Sequence, residues 1–171
     1  MNNKAIPAIV AILGAALLQV AIAPYIAIGG IVPNLLLLVV VTLALVEGPR
    51  SGASAGFAAG LAFDLLGSGP IGPMALVLAI VGHVTGSLQA NMFAEGWLLP
   101  TTVVFFGGLV AEVSYGLVLM LLGSGAPFWA MLGHVMLPGA VYNGALALLI
   151  YPWLARLLRR DRPMQTFRRL A

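Results

Sequence analysis

The segment from Gly48 to Gly72 has a small or acidic residue at every fourth position. Gly52, Gly56, Gly60 and Asp64 are each four residues apart. With 3.6 residues per turn, this spacing places three glycines and one carboxylate on a single stripe of a helix. Glycine lowers helix stability in water, whereas between membrane helices it lets two backbones approach closely. The stripe therefore predicts a helix that packs tightly against another helix inside a membrane.

The rest of the chain is too apolar for a soluble domain. Of the 171 residues, 61% are hydrophobic and 8% are charged, whereas about a quarter of the residues in soluble domains are charged. Because a helix needs about 20 residues to cross the hydrocarbon core, the length of the chain allows up to six spans joined by short loops. We expect an all-α, polytopic membrane protein with six transmembrane helices in one membrane domain, residues 1–158. A basic cytoplasmic tail, residues 159–171, follows this domain.

The six predicted helices are separated by turns that contain glycine, proline or charged residues. They cover residues 5–23, 32–46, 51–66, 74–92, 97–122 and 128–158. The second is nearly pure leucine and valine, a composition that favours a helix facing lipid. The segment 67–73 predicts an irregular loop, apolar enough to return toward the bilayer. Pro138 and Pro152 predict kinks or breaks in the last helix.

The basic residues determine the predicted orientation. Six of the eight Lys and Arg residues lie in the last sixteen positions, and the three predicted outer loops contain none. Since short loops rich in Lys and Arg stay in the cytoplasm, both termini are expected there. The tail is expected to contact anionic lipid rather than nucleic acid, because it directly follows an apolar helix. The chain has no cysteine, which excludes disulfides and thiolate metal sites.

Few strongly polar side chains fall inside the predicted membrane helices. Four of them are candidates for a central polar cluster: His83, Glu112, His134 and Asn143. A charge at the bilayer centre costs about 3 kcal/mol on insertion scales, so such residues usually face the bundle interior or a cavity. Counting residues along the helices places His83 level with Glu112. The same count places Asp64 and His134 nearer the outer surface, as a second candidate pair.

Each of these features has two interpretations. For the His83–Glu112 pair, a structural contact between helices is preferred over a proton relay or a polar ligand pocket. Asp64 either orients the glycine-rich loop that follows it or contacts a partner. For the glycine stripe, internal packing against glycines such as those of Gly82-x-x-x-Gly86 is preferred over docking of a partner helix.

The sequence contains no catalytic signature. Metalloprotease, serine-hydrolase and phosphate-loop motifs are absent, and the short loops offer no soluble site. Residues 67–72 are rich in glycine but lack the lysine and the strand–helix context of a phosphate cradle. We therefore expect a protein that is not an enzyme and that uses no metal or cofactor.

Several short motifs together resemble the rod shape-determining protein MreD family. In chain order they are Pro33-Asn34 before a Leu/Val-rich helix, Glu47-Gly48-Pro49-Arg50-x-Gly52, Gly56-Phe57-x-x-Gly60-Leu61, Phe63-Asp64-Leu65-Leu66 and Gly69-Pro70-x-Gly72. The resemblance spans about residues 30–90, and the six-span hydropathy covers the whole chain. Two positions depart from the family pattern. The turn after the fourth helix carries Glu95 without basic residues, and Pro73 follows the last motif.

The resemblance implies a non-catalytic scaffold of cell elongation and lateral peptidoglycan synthesis, in the bacterial cytoplasmic (inner) membrane. Such proteins bind MreC and belong with the MreB filament, a SEDS-family glycosyltransferase and its transpeptidase. As a hypothesis, the single MreC membrane helix packs against a small-residue face such as that of helix 3. The family also looks similar in fold to the substrate-binding S components of energy-coupling-factor vitamin transporters.

A vitamin-binding S component is the alternative function. It predicts a pocket near the outer leaflet, lined by the four residues of the central polar cluster. A proton-coupled carrier is the third hypothesis. The sequence shows no inverted repeat that would favour it.

Overall fold

The computed structural model describes residues 5–91, 98–123 and 127–158, and within these ranges the chain is all-helical. Six helices follow one another there: α1 Ala5–Ala21, α2 Leu35–Glu47, α3 Pro49–Leu66, α4 Pro73–Asn91, α5 Leu98–Leu121 and α6 Phe128–Leu158. Their ends agree with the predicted ones to within three residues, and the all-α prediction is confirmed. Glu95 and the basic tail, residues 159–171, lie outside the described residues.

Helix α2 lies at the centre of the bundle. Each residue from Leu36 to Val46 is buried, and α2 contacts all five other helices. The expectation that this helix faces lipid is therefore wrong. A helix that is hydrophobic all round suits the core of a bundle as well as it suits lipid, and its sequence does not distinguish the two.

A single residue separates α2 from α3. Gly48 has a φ of 95°, in the left-handed region that side chains disfavour. Pro49 follows at the first position of α3, where its fixed φ suits a helix and its missing N–H has no helical partner to lose. The chain reverses here, and a Cβ on Gly52 would lie 2.7 Å from the Cβ of Ala44.

The first loop is folded and packs on α6. A short 3₁₀ helix, Ala23–Ile26, leads into a tight turn closed by paired backbone hydrogen bonds between Ile28 and Ile31. The Tyr142 hydroxyl donates a 2.6 Å hydrogen bond to the Ile26 carbonyl oxygen. Asn34, at the end of the loop, is buried. The loop therefore belongs to the packed bundle, whereas residues 67–71 are exposed.

Helix α6 contains one widened turn near its start. Residues Leu132–Met136 form a π-helical turn just before Pro138. Proline has no N–H for the carbonyl four residues earlier, here that of His134, and its ring crowds that carbonyl. A wider turn accommodates this missing bond. Pro152 lies inside the helix, which continues to Leu158.

The outer surface of the bundle is apolar. Large exposed side chains include Val10 and Leu17 on α1 and Leu149 on α6. By length and composition, one described helix, Phe128–Leu158, is able to cross a membrane by itself. Shorter apolar helical segments are Ile6–Ala21, Leu35–Glu47, Pro73–Leu88 and Thr102–Val118.

Candidate functional site: the α3–α4 seam and the polar side chains of the bundle

The glycine stripe of α3 is in direct contact with α4. A Cβ on Gly56 would lie 2.8 Å from the amide nitrogen of Ala79, and one on Gly60 would lie 2.6 Å from that of Ala75. Both distances are shorter than real Cβ atoms approach other atoms, and both clashes involve backbone that cannot rotate away. Glycine is therefore required at these positions for the two helices to pack as they do.

Helix α4 contributes glycines of its own to this seam. A Cβ on Gly82 would lie 2.7 Å from the carbonyl carbon of Gly52, and one on Gly86 would lie 2.6 Å from the Cα of Pro49. The preferred internal-packing interpretation agrees with this geometry. Because α4 occupies the stripe, a partner helix has access only to the outer flanks of the α3–α4 pair.

Asp64 ends the stripe and holds the start of α4. Its carboxylate accepts hydrogen bonds from the backbone amides of Gly72 at 2.8 Å, Met74 at 3.1 Å and Ala75 at 3.2 Å. The first amides of a helix have no acceptor within the helix, and the helix dipole favours a negative charge beside them. The residue is 3% exposed. Of its two interpretations, the structure therefore supports the one in which Asp64 orients the loop.

A second buried polar contact lies at the start of α2. The Oδ1 atom of Asn34 accepts a hydrogen bond from the Leu37 amide at 2.9 Å and so caps the helix. The backbone N–H of Asn34 donates a hydrogen bond to Oδ1 of Asn143, on α6, at 2.8 Å. Asn143 is fully buried, and its Nδ2 has no hydrogen-bond partner in the described chain. Asn143 thus joins α6 to the central helix.

Gln19 of α1 holds the same region from the other side. Its side chain accepts a hydrogen bond from the Leu35 amide at 2.8 Å and donates one to the Pro33 carbonyl oxygen at 3.0 Å. Gln19 is not among the residues predicted from the sequence to form a site, and Asn34 is predicted only as part of a motif. An Asn directly before an apolar run is a signal for a helix cap. For Gln19, the available signal was its position as a lone polar residue in an apolar helix.

The predicted central polar cluster does not assemble. His83 is exposed on α4, and His134 is exposed on α6, where its Nδ1 lies 3.0 Å from the Ala130 carbonyl oxygen. Glu112 is partly buried on α5, and Asn143 bonds to Asn34. Among the described residues, no hydrogen bond or ion pair joins any two of these four side chains.

The predicted His83–Glu112 and Asp64–His134 pairs are likewise not formed. Residue counting gave the depth of each side chain but not the direction in which it points. His83 is exposed on the outside of α4, whereas its neighbour Gly82 faces α3. The Asp64 carboxylate is already bonded to backbone amides.

The chemistry available to this arrangement is mainly helix packing. In the described ranges, no group of three or more His, Cys, Asp or Glu side chains is placed to hold a metal ion. A groove of about 340 Å³ between α4 and α5 is lined by Ile80, Val84, Phe106 and Val110, among other residues. Its lining is almost wholly apolar and includes none of the four polar candidates.

Comparison with known proteins gives a family for the chain. The family model described as rod shape-determining protein MreD matches residues 3–161. This range includes the α3–α4 seam and all six described helices. No curated protein and no solved structure matches the chain.

Proposed function

The chain belongs to the rod shape-determining protein MreD family, and from this premise we propose that it is a non-catalytic membrane scaffold of the cell-elongation machinery. Family membership implies a role in rod shape determination. The finer role proposed here is to bind MreC and to help organise lateral peptidoglycan synthesis. The observation that carries it is the family match, which covers nearly the whole chain.

We further propose six membrane spans with both termini in the cytoplasm of a bacterial inner-membrane protein. The six described helices and the apolar outer surface support this topology. Helix α2 has 13 residues, which extend over ~20 Å and are short for a bilayer core of about 30 Å. The folded first loop, packed on α6, fills the remaining depth in this proposal.

A scaffold fits the way in which the polar groups are used. The hydrogen bonds of Asp64, Asn34 and Gln19 serve to hold backbone in place. The described chain offers helical surface to partners and no soluble domain. We propose MreC as the direct partner, with the MreB filament, the SEDS glycosyltransferase and its transpeptidase in the same assembly. The basic tail is proposed to contact anionic lipid.

The test is affinity purification of the tagged chain from membranes that also contain MreC of the same organism. Mild detergent is used, and both proteins and small molecules are identified by mass spectrometry. We expect MreC to be recovered in near-equal amount, and the control is an unrelated polytopic protein with the same tag. Failure to recover MreC with a monodisperse, well-inserted chain contradicts the proposal. Recovery of a transporter ATPase module or a stoichiometric vitamin supports the S-component alternative instead.

A further inference from the structure

Helix α4 carries an exposed imidazole halfway along its length. His83 is exposed, and it lies ten residues after Pro73 and eight before Asn91. At 1.5 Å per residue it is ~15 Å and ~12 Å from the two ends of the helix. In a membrane-spanning α4 this position is close to the bilayer centre. The ring makes no hydrogen bond to any residue that the structure describes.

Lipid alone does not satisfy such a side chain. Acyl chains offer no hydrogen-bonding group, and polar residues within membrane helices usually face other protein or a water-filled cavity. His83 does neither within the described part of its own bundle, since its side chain is exposed there, whereas the preceding Gly82 faces α3. The imidazole therefore needs a partner other than the described residues of this chain.

The second histidine provides an internal comparison. His134 is also exposed, but its Nδ1 lies 3.0 Å from the Ala130 carbonyl oxygen, one turn earlier in the same helix. It is also nearer the end of its helix, six residues after Phe128, or ~9 Å at the same rise. The described chain thus provides a hydrogen bond for one exposed histidine ring and not for the other.

The surroundings of His83 suit a close-packed helix. Ala79 and Ser87 lie one turn to either side on the same face of α4, and both are half-buried. Such small residues allow close approach of another helix. Beside them, Ile80 is 54% exposed and forms one wall of the groove between α4 and α5. Large apolar side chains of a docked helix could enter this groove.

We propose that this surface docks the transmembrane helix of a partner protein, and that this helix places a hydrogen-bonding side chain opposite His83. The surface, called the His83 face, consists of Leu76, Ala79, Ile80, His83 and Ser87. A carboxyl, hydroxyl or amide group at mid-membrane depth meets the requirement, and neutral imidazole offers both a donor and an acceptor. The inference rests on the proposed function, since the membrane setting and the partner, MreC, come from it.

Photo-crosslinking tests where the partner helix lies. A photoreactive residue is placed at Leu76 or Ile80, which are 58% and 54% exposed, and adducts to MreC are mapped by mass spectrometry. Matched positions on other helices are Leu13 of α1 and Leu149 of α6, which are 59% and 70% exposed. We expect adducts with the MreC membrane helix from the two α4 positions only.

The outcomes separate this inference from the proposed function. Adducts only from Leu13 or Leu149 overturn the His83 face but leave the scaffold intact. A crosslink between two copies of this chain through α4, without MreC, overturns the partner assignment. Absence of MreC from both crosslinking and purification overturns the proposed function together with the inference.

Substitution of the imidazole tests its hydrogen bond. His83→Leu is expected to lower MreC recovery about threefold to twentyfold, the range for one hydrogen bond between membrane helices. His83→Gln keeps a donor and an acceptor and should restore most of the recovery. His134→Leu is the matched control and should leave it unchanged. Equal recovery with His83→Leu, or an equal loss with His134→Leu, overturns the proposal.

Discussion

At the scale of single residues, buried polar side chains in this bundle bind mainly to backbone at helix starts. Asp64 bonds to three amides at the beginning of α4, and Asn34 and Gln19 bond to amides at the beginning of α2. The first amides of a helix have no partner within it, and here they meet the buried side chains of Asp64 and Asn34. Side chains that supply the missing acceptors therefore fix where each helix begins.

Replacing the Asp64 carboxylate should destabilise the α3–α4 pair. Asp64→Ala removes the acceptor of three backbone amides, and we expect a loss of about 2–4 kcal/mol in the free energy of unfolding. Asp64→Asn retains one acceptor oxygen but no charge, so we expect about half of that loss. The measurement is reversible unfolding in mixed micelles, followed by far-UV circular dichroism.

Glu112 provides the control for this measurement. Its carboxylate makes no hydrogen bond to any described residue, so Glu112→Gln should cause no comparable loss. Equal stability of Asp64→Ala and the wild type would show that these amides find other acceptors.

The sequence allowed part of the candidate site to be predicted at this scale. Four-residue spacing determines which residues share a helix face, so the stripe of Gly52, Gly56 and Gly60 was recognisable. The expected pairing of His83 with Glu112 had no such basis. Residue counting measures depth along a helix, whereas pairing also depends on how each helix is rotated about its axis. For α4, the close contacts of the glycine seam set that rotation.

At the scale of whole helices, the same limit applies to α2. Its sequence predicts a helix and nearly the correct ends, because a long apolar run bounded by turn residues usually forms a helix. Whether such a helix faces lipid or the core depends on its neighbours. The one-residue link at Gly48 places α3 directly against α2, and the Asn143–Asn34 bond attaches α6 to its start. These contacts arise between residues far apart in the chain.

Adding one methyl group at the seam should separate α3 from α4. Gly56→Ala places a Cβ against the backbone of Leu78 and Ala79, so the helices must move apart along their length. Overpacking usually costs 1–3 kcal/mol, and we expect a loss of about 3 kcal/mol here because backbone cannot adopt another rotamer. The unfolding free energy is measured in mixed micelles, as for Asp64.

Gly14→Ala is the matched control on α1. A Cβ at Gly14 would meet no atom within 4 Å, and alanine favours helix over glycine by up to about 1 kcal/mol. This variant should therefore be neutral or slightly more stable. Equal effects of the two substitutions would mean that the α3–α4 contact is looser than the structure has it.

At the scale of the whole molecule, one face differs from the rest of the outer surface. The exposed residues of α1 are mainly large and aliphatic, as contact with lipid requires, and Val10, Leu13 and Leu17 are among them. The outer side of α4 also has exposed aliphatic residues, Leu76 and Ile80 among them, but it combines them with the half-buried Ala79 and Ser87 and with an imidazole that bonds to no described residue. A protein with this distribution can hold its fold through the α3–α4 seam and still present one helix to a partner. This arrangement fits a scaffold better than a ligand pocket.

The proposed topology can be tested because the chain has no cysteine of its own. Ser68 lies in the exposed loop between α3 and α4, which the six-span proposal places outside the cytoplasm. Ser68→Cys should therefore react with a membrane-impermeant maleimide in spheroplasts. Ala171→Cys, at the end of the basic tail, should react only after the membrane is permeabilised.

The orientation follows from the arginines after α6, since short basic segments remain inside. Labelling of both positions in intact spheroplasts would place the two segments on the same side, which requires an even number of spans between them, whereas the proposed topology has three, α4, α5 and α6.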